Sequence, residues 1–218
     1  MAFFDSEIWQ ITLLSLRISG IATLLSLLFG LPLGTVLALA KFRGRSFMMS
    51  IVNTGMGLPP VVVGLFVAMM LWRSGPLGDL KLIYTPTAIV IAQLIIALPL
   101  VTGLTAAALQ QLDPNLRLQL YGLGASRGQM IWTLWQEARL PLLAALMAAF
   151  GSVISEVGAS MMVGGNIRNQ TRVLTTSIVL ETSKGEFQAA IELSLLLLLI
   201  TFLVNWALTS IQQRGAKG

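Results

Sequence analysis

Uncharged runs long enough to cross a bilayer fill most of this sequence, and they settle the class of fold before any motif is considered. A spanning helix needs about 20 mostly apolar residues. Runs of that length occupy 18–40, 46–72, 82–112 and 193–213, and a fifth, 140–167, is interrupted only by Glu156. Of the 218 residues, 56% are hydrophobic and 11% charged, where an ordinary soluble domain carries about 25% charge. Too little polar surface is left to face water, so a bilayer must cover much of the chain. The expectation is an all-α membrane protein with one transmembrane domain, 1–218, and about five helices near 10–40, 61–73, 86–111, 141–164 and 188–211. The first and third exceed the bilayer thickness and must tilt or project beyond it. The second run opens with Asn53-Thr54-Gly55-Met56-Gly57-Leu58-Pro59-Pro60, whose glycines and double proline predict a bend just before Val61.

The sequence has no His and no Cys. That excludes disulfide frameworks, thiolate nucleophiles, imidazole acid–base chemistry and His or Cys metal sites. The formal charge of +5 fits cytoplasmic loops better than nucleic-acid binding, because no basic run is dense enough to grip phosphates. The amino terminus, MAFFDSEIWQ, lacks the positive region of a cleaved signal, so the first run is expected to stay as a span. Orientation follows from Lys and Arg in the connections. With the amino terminus outside, Lys41, Arg43, Arg45, Arg117, Arg127, Arg139, Arg214 and Lys217 lie inside, against Arg73, Lys81, Arg168, Arg172 and Lys184 outside. The bias predicts N-out, C-in.

Under that orientation residues 112–140 face the cytoplasm. Asp113 can cap exposed amides and Pro114 suits a first helical turn, so a short helix is expected over 114–121. Gly122 and Gly124 interrupt it, and helical character resumes over 127–138 before Leu140-Pro141. This shape suits a cleft on a cytoplasmic partner. The alternative is an ordinary solvated connection.

These residues resemble the cytoplasmic loop of the type I permeases, the membrane subunits of binding-protein-dependent ABC importers. That loop has the pattern E-A-A-x-x-x-G followed by I-x-L-P. Aligned on Gly124-Ala125-Ser126-Arg127, the sequence puts Leu118, Gln119 and Leu120 where the family has Glu-Ala-Ala, and Pro141 lies about one turn further on than the pattern expects. Aligned on Leu140-Pro141, it makes Gly128 the motif glycine and puts Gly122-Leu123-Gly124 at Glu-Ala-Ala. The first register is preferred, because Asp113-Pro114-Asn115-Leu116 also resembles the family there. Leu58-Pro59-Pro60-Val61-Val62-Val63-Gly64 and Glu156-Val157-Gly158-Ala159 are similar to spans of molybdate- and tungstate-type permeases. Met161-Met162-Val163-Gly164-Gly165-Asn166-Ile167 and Gln170-Thr171-Arg172-Val173-Leu174 resemble the tungstate subgroup.

The resemblance implies a MetI-like core, a homodimer with the path at its interface, and an extracytoplasmic protein that delivers an oxyanion. Tungstate is the expected cargo, with molybdate or sulfate as the alternative. It also implies an ATPase dimer that receives residues 113–128 as coupling helices. The positions that would engage the ATPase are Asp113, Pro114, Leu118, Gln119, Leu120, Gly122, Gly124, Ala125, Arg127 and Gly128. No G-x-x-x-x-G-K-[ST] phosphate loop is present, so ATP and Mg belong to that separate chain. This chain is expected to be non-catalytic and to hold no cofactor. A self-sufficient channel or secondary transporter is the rival class. The lack of an evident internal repeat and the odd number of spans count against it.

An ionised carboxylate inside the hydrocarbon marks a pathway, a partner or a structural hydrogen bond. For Glu156 the structural role is expected, because a carboxylate would oppose the passage of an anion, and Arg17 is a candidate partner. Asn205 in the last span is expected to make an interhelical hydrogen bond. Asn166, Arg168, Arg172 and Lys184 fall in an extracytoplasmic loop, 165–187. They form either a docking surface and electropositive entrance or a solvated connection.

Overall fold

The structure, a computed structural model, describes residues 6–215, with side chains given as far as Gln213. The extreme amino terminus, the side chain of Arg214, and Lys217, which entered the readings above, lie outside the described residues. Among the described residues every regular element is helical. In order these are α1 (Ser6–Leu39), α2 (Arg45–Met56), α3 (Pro60–Leu71), a 3-10 turn (Gly78–Leu80), α4 (Pro86–Gln110) and α5 (Pro114–Gly122). They continue with α6 (Arg127–Glu137), α7 (Arg139–Ile154), α8 (Gly158–Gly164), α9 (Leu174–Lys184) and α10 (Phe187–Gly215). Three helices, α1, α4 and α10, are long and apolar enough to cross a membrane alone. Two bent pairs, α2 with α3 at 101° and α6 with α7 at 72°, bring the number of candidate spans to five.

The bend before α3 falls where the double proline predicts it. Pro60 opens α3 at a position where its missing N–H is harmless. α1 and α4 form the main seam. A Cβ on Gly34 of α1 would stand 2.6 Å from the carbonyl oxygen of Thr102 on α4. Only a glycine lets the two backbones come this close, which is how helices associate where no hydrophobic effect drives them together. Ile18, Val63, Val67, Leu71, Ala88, Ile89, Ala92, Ala159, Val163 and Val173 form one core, joining α1, α3, α4 and α8. At the other end Ala108, Leu109, Met130, Leu134 and Ala138 bind α6 to α4. Residues 127–137 are therefore part of the packed body.

Two expectations need correction. The helix expected over 141–164 is broken: α7 stops at Ile154 and α8 starts at Gly158. The freed carbonyl of Val153 accepts from the backbone N–H of Glu156 at 3.2 Å and from Gln93 Nε2 at 3.0 Å. Satisfied in this way, irregular backbone is tolerated at membrane depth. The segment 165–187, expected as loop, contains the helix α9, whose Leu174, Thr175, Thr176 and Ser177 are buried. Its hydroxyl-rich face hid the helix from a hydropathy reading. Ser15 Oγ on α1 accepts from Leu174 N–H at 2.8 Å and fixes the start of α9.

Candidate coupling and entrance surfaces

The 113–140 segment joins a projecting helix, α5, which buries no residue, to α6, which packs into the body. Asp113 Oδ1 accepts from the N–H of Asn115 at 2.8 Å, and Pro114 begins α5. The chain turns at Gly124, which has φ +73°, a left-handed conformation that side chains other than glycine and asparagine resist. Ser126 then opens α6 with a capping box. Its N–H donates to Gln129 Oε1 at 2.8 Å, and its hydroxyl accepts from the Gln129 N–H at 3.4 Å.

Two bonds tie this projection to the end of α1. Trp135 Nε1 donates to Thr35 Oγ1 at 2.9 Å, and Arg117 Nη2 reaches the carbonyl of Leu39 at 3.5 Å. The opposite side is bare and apolar, with Leu118 69%, Tyr121 56% and Leu123 83% exposed. Gln119, Gly122, Gly124, Arg127 and Gly128 are exposed beside them, while Leu120 and Ala125 are half-buried. An apolar tip on a braced support is suited to being gripped and to passing movement on to α1. Among the described residues no group of three or more His, Cys, Asp or Glu could hold a metal ion.

At the other end, the polar residues of the 165–187 segment are largely engaged with one another and with α1. Arg168 pairs with Glu7 through Nε at 2.9 Å and through Nη2. Arg172 Nη1 lies 3.4 Å from the same carboxylate, and Lys184 pairs with Glu181 at 2.8 Å. Asn166 sits at φ +49° and its Nδ2 reaches the carbonyl of Thr176 at 3.4 Å. This surface is therefore less electropositive than a count of its cations implies. Arg17, exposed on α1, lines a recess of about 250 Å³ with Asn169, Gln170 and Arg172.

Arg17 and Glu156 do not pair. Glu156 is 9% exposed, and its Oε1 accepts from the N–H of Ala159 at 2.9 Å. Its backbone carbonyl accepts from Thr175 Oγ1 at 2.9 Å. The break between α7 and α8 frees an amide that the carboxylate satisfies, so the structural role expected of Glu156 has a specific partner, though not an arginine. Asn205 is half-buried and makes no interhelical hydrogen bond among the described residues. α10 reaches α7 instead through Gln212 Nε2 and the carbonyl of Leu140, at 3.1 Å. Sequence reasoning passed over Gln93, Thr175, Thr35 and Trp135. Gln93 carried a usable signal, being a lone amide in the middle of an apolar run.

Up to five apolar spans, two of them bent pairs, with a braced projection between the third and fourth, are the architecture of a polytopic membrane subunit. Residues 30–217 match the family described as "Binding-protein-dependent transport system inner membrane component", and the chain belongs to that family. It is 39% identical over 210 residues to the tungstate uptake system permease protein TupB of Peptoclostridium acidaminophilum, covering 96% of this chain and 92% of that one. It is 29% identical over 228 residues to the molybdenum transport system permease protein ModB of Escherichia coli K12, covering 99% of each. Among solved structures it superposes on an inward-facing form of the MetNI methionine ABC transporter with a TM-score of 0.73. The sequence identity is 17%, over 96% of this chain and 94% of that one, a likeness of fold.

Proposed function

We propose that this chain forms, as a homodimer, the membrane path of an ATP-driven tungstate importer. The apolar tip of α5 docks on a separate cytoplasmic ATPase, and an extracytoplasmic binding protein delivers the anion to the opposite face. The observation that carries the cargo is the higher identity to a tungstate permease than to a molybdenum permease over nearly the whole chain. The docking reading is supported by Leu118, Tyr121 and Leu123, large apolar side chains held in the open on a support fixed to α1 and α4.

The mechanism is alternating access. When the ATPase closes on nucleotide it pulls α5, and Trp135 and Arg117 pass the displacement to the end of α1. The bends between α2 and α3 and between α6 and α7 are hinges about which the spans rock. The test is anion uptake by a strain lacking this subunit, with and without complementation. Restored tungstate uptake supports the reading. Restored molybdate uptake with tungstate uptake unchanged overturns the cargo assignment.

A further inference from the structure

A groove of about 570 Å³ runs between the lower half of α1, α2 and the middle of α4. Its walls include Leu33, Val36, Phe47, Ile51, Leu98 and Pro99, and Phe47 is 70%, Ile51 55% and Val36 53% exposed. α2 has no buried residue. Its far end rests on Pro99, because Gly55 approaches that ring, and Pro99 lies near the centre of α4. Its near end is held to α1 by Arg45, whose Nε donates to the carbonyl of Leu37 at 2.6 Å. The groove thus runs from the end of α1 to the middle of α4.

Phe42 lines the groove, and its chain neighbours Lys41 and Arg43 are both exposed and in no ion pair among the described residues. The sequence contains no Asp or Glu between Glu7 and Asp79, and α4 carries no charge at all. Nothing on the groove's own elements neutralises this pair. We propose that the groove binds one anionic phospholipid of the cytoplasmic leaflet, with its headgroup phosphate on Lys41 and Arg43 and an acyl chain along Phe47, Ile51 and Leu98. Charge complementarity favours a lipid over a second copy of the chain. A two-fold interface sets the same patch on both sides, and this one offers cations and no carboxylate to pair with them.

The assay is mass-spectrometric counting of phospholipid retained by the detergent-purified transporter complex, taken from membranes containing both phosphatidylglycerol and a zwitterionic lipid. The wild type is expected to keep about one phosphatidylglycerol per chain, enriched over the zwitterionic lipid. The double variant K41Q/R43Q should bind it more weakly by about fivefold for each charge removed, with assembly unchanged by size exclusion. Equal retention by wild type and variant, or no preference for the anionic lipid, overturns the proposal. Because the chain has no cysteine, Ser50→Cys places a single thiol in the groove. Its oxidative cross-linking between copies would assign the groove to the dimer and overturn the lipid, and an uncross-linked thiol agrees with it.

Discussion

Glu156 and Gly124 separate two kinds of requirement at the scale of single residues. Glu156 is needed as an acceptor for the Ala159 amide, and nothing in that bond calls for a negative charge. Glu156→Gln should therefore retain uptake and thermal stability, since its amide oxygen can take the same bond. Glu156→Leu leaves a buried N–H unpaired and should cost about 1–3 kcal/mol, read as a lower melting temperature of the purified complex. If the Gln variant folds and transports nothing, the charge itself is required and the structural assignment fails. At Gly124 a Cβ would meet nothing within 4 Å, so side-chain bulk is not the obstacle; the positive φ is. Gly124→Asn should be close to neutral, while Gly124→Val strains the turn by at least about 1–2 kcal/mol. The transporter assembled with the Val variant should hydrolyse ATP with reduced uptake. Equal behaviour of the two variants would show that the left-handed turn does not matter to coupling.

Among the elements, the α5–α6 projection was the most legible from sequence. Asp113-Pro114 marked its start and the glycines its break, both local signals that tertiary packing leaves intact. The fourth span was less legible, since Gln93 and Glu156 lie 63 residues apart in the chain and only folding brings the break and its amide together. α9 escaped notice because Thr175, Thr176 and Ser177 are buried through hydrogen bonds, which hydropathy counts as exposure. The braced projection makes its own prediction. Trp135→Phe keeps the aromatic packing and removes the bond to Thr35, so it should leave ATPase binding intact and lower uptake per ATP hydrolysed. Leu123→Asp should instead weaken ATPase binding, measured by co-purification, because it puts a charge on the apolar tip. Were Leu123→Asp to co-purify with the ATPase as well as wild type does, the docking face would lie elsewhere.

For the whole molecule, up to five spans and the family match make an importer permease subunit, and the bare apolar tip suits the proposed drive by a separate ATPase. The seam of α1 and α4 belongs to this scale, since Gly34 packs the helix to which the projection is tied against the central span. The surface around 165–187, with Arg168 and Arg172 gathered on Glu7, would offer an anion delivered there fewer unengaged charges than its cations suggest. That suits passage better than capture. The most direct test is tungstate accumulation in proteoliposomes containing this chain, with its ATPase and binding protein supplied or withheld. Accumulation should appear only when both partners and ATP are present. Accumulation by the chain alone, driven by an ion gradient, would contradict the account.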